Sequence, residues 1–189
     1  FALDLLKKEK YDHIIGVDGA LKFCKEQNIV PTRIVGDFDT LDPEILTWYQ
    51  THTQIEIRQF NPVKDATDTQ IAIELAMELG SRKITLVGGT GTRLDHVLGN
   101  IQTLYLPFAK GIDCRIVDAH NRIRLVSGEL HLKMTEQWGK YVSLIPFTTD
   151  VEGVDLIGFK YPLEKFNFTV LGIGSRGVSN EIAEEEAVI

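Results

Sequence analysis

The spacing of apolar residues changes once along this chain, and that change restricts what it can fold into. Up to about Asp113, short apolar runs at 13–17, 33–36 and 83–87 alternate with stretches whose apolar residues recur at helical spacing. Beyond it, Ile123 and Leu125, Leu130, Leu132 and Met134, Val142 and Leu144, and Phe166, Phe168 and Val170 step by two, with turn signals at Ser127-Gly128 and 172–174. Strands alternating with helices build a mostly parallel sheet with helices on its faces. Period-two runs between turns build an antiparallel sandwich or barrel. The expected fold is therefore an α/β N-terminal domain, residues 1–122, with a mostly parallel sheet flanked by helices, and an all-β C-terminal sandwich, residues 123–189.

Local signals in the first half support the alternation. Asp42-Pro43 reads as an N-cap followed by proline at the first helical position, opening a helix to about Thr51. Thr67 with Gln70 fits a capping box, and Ile71, Ala72, Leu75, Ala76 and Leu79 make the buried stripe of the helix behind it. A further helix draws its apolar face from Leu94, Val97, Leu98, Ile101, Leu104, Tyr105 and Phe108. Cys24 and Cys114 have neither C-x-x-C nor zinc-ligand spacing, so they read as reduced, structural thiols.

Polar residues gather where these strands end. In Val35-Gly36-Asp37-Phe38-Asp39-Thr40 an apolar run stops at a glycine, and two carboxylates follow one residue apart. Side chains at i and i+2 leave the same face of an extended chain, so Asp37 and Asp39 can hold a hard cation such as Mg²⁺. Asp18-Gly19 follows the first strand, and Lys64-Asp65-Ala66-Thr67-Asp68 precedes a helix, where helix capping alone also accounts for Asp68. Gly88-Gly89-Thr90-Gly91 permits close approach of backbone N–H groups to phosphate, and Arg93 stands with Asp95 and His96 at the head of the next helix. No G-x-x-x-x-G-K-[ST] pattern occurs, and His96 reads as a packing or capping residue. Open α/β sheets bind ligands beyond the carboxyl ends of their strands. Carboxylates, glycines and an arginine gathered there suit a metal-bound polyphosphate. Near the end, Ser175-Arg176-Gly177-Val178-Ser179-Asn180-Glu181 offers hydroxyl and amide groups suited to orienting a small heterocycle, while Glu184-Glu185-Glu186 reads as solvated surface.

A net charge of −7 without a basic stripe argues against a nucleic-acid-binding protein. No apolar stretch approaches the roughly 18 residues of a membrane span and no signal-peptide pattern opens the chain, so no membrane association and a cytoplasmic location are expected. A first residue of Phe1 suggests that the sequence starts inside the natural chain.

Taken together, Gly36-Asp37-Phe38-Asp39-Thr40, Lys64-Asp65-Ala66-Thr67-Asp68, Gly88 to Gly91 with Arg93-Leu94-Asp95-His96, and Gly177-Val178-Ser179-Asn180-Glu181 resemble the thiamine pyrophosphokinase family, bacterial type, over almost the whole length. The resemblance implies an α/β catalytic domain followed by a β-sandwich, a homodimer, and the reaction of thiamine with ATP to give thiamine diphosphate and AMP. It makes Asp37, Asp39 and Asp68 the Mg²⁺-linked carboxylates and adds Asp18 to their site. It puts Lys64, Thr67, Gly88, Gly89, Gly91 and Arg93 at the nucleotide and Ser179 with Asn180 at thiamine. Asp95 either accepts the hydroxyl proton or orients Arg93, with orientation favoured. The chain departs from the family in lacking a residue between Asp18 and Gly19, and in lacking the usual strands ahead of residue 1 and after Ile189, which suggests a trimmed or incompletely ordered chain. The same carboxylates also suit a metal-dependent phosphohydrolase or nucleotidyl transferase, or a sensor of thiamine diphosphate or nucleotide that binds without turnover.

Overall fold

A helix between two strands carries the chain back to its starting end, so consecutive apolar runs of the first half meet side by side and parallel. The computed structural model describes residues 1–61, 66–171 and 174–189. After helix α1 (Ala2–Lys8), strands β1 (Ile15–Val17), β2 (Arg33–Gly36) and β3 (Glu56–Gln59) form a parallel set joined by helices α2 (Ala20–Glu26) and α3 (Pro43–His52). Helix α4 (Asp68–Glu78) leads to a second set, in which β4 (Lys83–Val87) runs parallel to β5 (Asp113–Val117) and β5 antiparallel to β6 (Arg122–Arg124). Between β4 and β5 lie α5 (Leu94–Thr103) and α6 (Tyr105–Phe108). Helix α4 packs against β1 and β2 and also against α5 and α6, so it ties the two sets together.

The helix starts follow their capping residues. Asp42 accepts the Glu44 N–H at 3.0 Å ahead of Pro43, and Thr67 Oγ1 accepts the Gln70 N–H at 3.2 Å. The capping box is only half made, because the Gln70 amide donates to Glu74 at 2.9 Å instead of reaching back. Ile73 joins Ala72, Leu75 and Ala76 in the buried stripe of α4, while Ile71 and Leu79 are half-buried, since this helix meets strands and helices over a broad face. The expected apolar face of α5 is largely uncovered, with Leu94 75% and Leu98 63% exposed. The helical run is also divided at Leu104, where Pro107 has no N–H to offer the turn before it.

Leu21, Ile34, Phe38 and Tyr49 centre the core of the first parallel set, and Leu104, Cys114 and Ile116 that of the second. Cys24 and Cys114 are free and buried; loss of hydration raises both thiols, Cys114 to about 12, so neither is poised as a nucleophile.

The chain divides into the units Phe1–Leu125 and Val126–Ile189. In the second, β7 (His131–Lys133) pairs antiparallel with β10 (Glu186–Val188), and β8 (Val151–Leu156) with β9 (Leu163–Phe168), around Leu156, Phe159, Ile182 and Ala187. Strand β8 escapes the period-two pattern because register shifts interrupt it between Val151 and Leu156. Val142, expected in a strand, makes a single bridge to Asn180, and Met134 begins a 3₁₀ turn. The acidic end is structured in part, with Glu186 in β10 and Ala187 fully buried.

Candidate active site

Parallel pairing puts the carboxyl ends of β1 and β2 side by side, and the acidic residues follow directly. The Asp18 N–H donates to the Val35 carbonyl at 2.9 Å, and Thr40 Oγ1 donates to Asp18 Oδ2 at 3.2 Å. Asp37 Oδ1 accepts the Asp39 N–H at 3.2 Å. The pair is not brought together by extended backbone, as its spacing suggested. Strand β2 ends at Gly36, and Phe38 takes a left-handed φ of +61°, as does Asp18 at +43°. For an aromatic residue that conformation costs roughly 1–3 kcal/mol, and it is held by burial of the Phe38 ring in the core beside Leu21 and Ile34. A Cβ on Gly36 would lie 2.9 Å from that ring and 3.2 Å from Asp18 Cα, so only glycine lets the two turns approach.

These carboxylates repel one another. The Asp37 charge, followed by lost hydration, a hydrogen bond to Asp37 and the Asp18 charge, raises the Asp39 carboxyl above its ordinary value. Asp18 Oδ1 is buried, with no hydrogen-bond partner among the described residues. Mutual repulsion and an orphaned oxygen are what a cation would relieve, so the donor set fits Mg²⁺. Among the described residues no three His, Cys, Asp or Glu side chains converge as the ligands of one ion. Mg²⁺ commonly takes one or two carboxylates and completes its shell with water and substrate phosphates. Asp68 opens α4 immediately after the Thr67 cap, on the helix that packs against β1 and β2. Lys64 and Asp65 lie outside the described residues.

The second parallel set supplies the glycine-rich turn. Gly88 has φ +83°, and a Cβ on Gly89 would meet Leu86 at 3.0 Å and Ile116 at 3.2 Å. Thr90 Oγ1 donates to Asp118 Oδ2 at 2.7 Å, and buried Asn100 donates through Nδ2 to the Gly89 carbonyl at 3.0 Å. Arg93 stands at the N-cap position of α5, and its guanidinium is gripped by Asp95 through Nε at 3.3 Å and Nη2 at 2.6 Å. The hydrogen bond from Arg93 is the main cause that lowers the Asp95 carboxyl, which makes it a poor proton acceptor and a good holder of the guanidinium. His96 is exposed rather than packed. Thr40 and Thr90 lie inside the sequence motifs without a role assigned to them there, and Asn100 and Asp118 did not stand out in the sequence. Asp118 is reachable by the strand-end rule, since it directly follows β5, but Asp118 to Asn121 reads as an ordinary turn.

In the second unit Ser179 is exposed, with φ +62°, and its N–H donates to Ser143 Oγ at 3.1 Å. Asn180 is buried, and its amide serves the backbone: Oδ1 accepts from Tyr161 N–H at 3.1 Å and Glu181 N–H at 2.9 Å, and Nδ2 donates to the Tyr161 carbonyl at 2.8 Å. Asn180 thus shapes the loop that displays Ser179.

Residues 4–116 match the family model described as thiamin pyrophosphokinase, catalytic domain, and residues 128–189 match thiamin pyrophosphokinase, vitamin B1 binding domain. The chain belongs to the thiamine pyrophosphokinase family. It is 35% identical over 175 residues to the thiamine pyrophosphokinase of Bacillus subtilis, covering 89% of this chain and 77% of that protein. The crystal structure of thiamine pyrophosphokinase from Bacillus subtilis superposes with a TM-score of 0.86 at 31% identity, covering 98% of this chain and 85% of that one. That from Geobacillus thermodenitrificans gives 0.83 at 33% identity, covering 98% and 84%. Of the site residues expected from the sequence, Asp37, Asp39, Asp68, Arg93 and Asp95 lie in the first unit and Ser179 and Asn180 in the second.

Proposed function

We propose that this chain transfers the pyrophosphoryl group of ATP to the hydroxyl of thiamine, giving thiamine diphosphate and AMP. The consecutive match of both family domains over residues 4–116 and 128–189 carries the reading, and the strand-end carboxylates and glycine-rich turn supply compatible chemistry. The thiamine hydroxyl oxygen gives its proton up to solvent and bonds to the β-phosphorus as the bond from that phosphorus to the bridging α,β-oxygen breaks, and AMP departs. Such a reaction asks the protein chiefly to align the reactants and to neutralise spreading negative charge.

Asp37 and Asp39, with Asp68, would hold Mg²⁺ in this reading, and Asp18 completes the acidic wall. When bound, Mg²⁺ would supply positive charge to offset that of the phosphates. The turn from Gly88 to Gly91, with Lys64 and Thr67, receives the triphosphate, and Arg93, steadied by Asp95, faces the developing charge. Ser179, on the loop braced by Asn180, contacts thiamine, whose cationic ring the carboxylates tolerate. The first unit is thus the ATP and Mg²⁺ domain and the second the thiamine domain, working as a cytoplasmic homodimer. No helix among the described residues is long and apolar enough to cross a membrane.

Incubation with ATP, Mg²⁺ and thiamine, followed by separation of products, tests the reading. Thiamine diphosphate and AMP in equal amounts are expected. ADP or free phosphate would replace it with a phosphohydrolase or another transferase, and binding without product would replace it with a sensor.

A further inference from the structure

The turn Gly88-Gly89-Thr90-Gly91 has three glycines in four residues, so its own backbone does not fix its shape. A phosphate cradle must nevertheless be set before substrate arrives, because misplacement by a fraction of an ångström lowers the rate. Two side chains from different elements hold it. From α5, buried Asn100 donates to the Gly89 carbonyl at 3.0 Å. From the far end of β5, Asp118 accepts the Thr90 hydroxyl at 2.7 Å. Both anchors use a carbonyl or a hydroxyl of the turn, so neither consumes a backbone N–H that a phosphate oxygen would need.

Asp118 is itself immobilised. Its Oδ1 accepts the N–H groups of His120 at 2.7 Å and Asn121 at 2.6 Å, and the Asn121 side-chain amide reaches both carboxylate oxygens at 3.1 and 3.0 Å. Its own N–H donates to the Asn121 carbonyl at 2.9 Å, and it follows Val117, which is fully buried. A carboxylate beside a triphosphate would ordinarily repel it. Here the donors cover the oxygens, and the side that meets the turn does so through the Thr90 hydroxyl.

We propose that Asp118 is a positioning residue for the nucleotide-phosphate turn, acting through Thr90, with Asn100 bracing the same turn from α5. The inference rests on the pyrophosphokinase reading, since it assigns the turn to ATP. The variants Thr90→Val, Thr90→Ser, Asp118→Asn and Thr90→Val/Asp118→Asn decide it, with ATP and thiamine kinetics and calorimetric binding of Mg²⁺ with α,β-methylene ATP measured for each. Thr90→Val and Asp118→Asn are each expected to lower kcat/KM for ATP by at least about tenfold. Each should weaken analogue binding and leave the KM for thiamine within about twofold. Thr90→Ser, which keeps the hydroxyl, should restore most of the loss, and the double variant should be no worse than the poorer single one. Wild-type behaviour of Thr90→Val, equal losses for both substrates, no rescue by serine, or losses that multiply in the double variant would each overturn the proposal. Should Asp118→Asn not fold, the valine and serine pair at position 90 decides alone. If the wild type binds the analogue yet makes no thiamine diphosphate, the pyrophosphokinase reading falls, and the clamp is judged on analogue affinity.

Discussion

Two aspartate-bearing turns lie beyond the carboxyl ends of parallel strands, and their electrostatics are opposite. Beyond β2, Asp39 is raised by the charge of Asp37 and, further down the order of causes, of Asp18, and Asp18 keeps a buried oxygen with no partner among the described residues. Beyond β5, burial alone would raise Asp118, but hydrogen bonds from Asn121, Thr90 and the His120 N–H outweigh it and hold the carboxyl at about 2. Position in the fold is shared, so the like charge facing one carboxylate and the donors facing the other set the difference. A carboxylate poor in donors is a place for a cation, and one rich in donors is a structural clamp.

The largest effect expected from this contrast is on turnover. Asp37→Asn should lower kcat/KM on the order of 10³-fold, through loss of a Mg²⁺ ligand, with an unchanged circular dichroism spectrum. Activity within about tenfold of wild type would remove Asp37 from the metal site. A smaller effect separates the two turns by sign. In Mg²⁺-free buffer at neutral pH, Asp39→Asn should raise the melting temperature by relieving repulsion, while Asp118→Asn should lower it. Mg²⁺ should raise the melting temperature of the wild type more than that of Asp39→Asn. Shifts of the same sign in both variants would erase the distinction.

The smallest effect is in acid. The folded-state value of Asp118 is depressed, so its stabilising contribution is fully present above the ordinary value of 3.8 and is lost as pH falls through about 2. Asp39 is raised, so its penalty is fully present above its raised value, shrinks as pH falls through it, and is gone below the ordinary value of 3.8. Melting curves of wild type, Asp39→Asn and Asp118→Asn, taken from neutral pH downward, should therefore converge for different reasons. A wild-type advantage over Asp118→Asn that persists below about 2 would assign the effect to something other than ionisation.

Elements with strong local signals were legible in the residues. The Asp42-Pro43 start of α3, the Thr67 cap of α4 and strand β2 follow from short-range chemistry that operates wherever the segment sits. Strand β8 was not legible, because register shifts break its alternation, nor was the exposure of Leu94 and Leu98, because periodicity identifies an apolar face without saying what covers it. The acidic residues were visible as types, but the means of gathering them was not. Asp37 and Asp39 converge through a left-handed Phe38 anchored in the core rather than through an extended strand.

The sequence by itself determined the alternation of strands and helices from β1 to β5, the change to antiparallel structure in the second half and the family motifs, since each depends on residues near one another in the chain. The like charge on Asp39 comes first from Asp37, and the donors on Asp118 come first from Asn121, both near neighbours in the chain. Tertiary structure decided the distant partners, as Thr40 meets Asp18 and Thr90 meets Asp118, and no spacing along the chain encodes those.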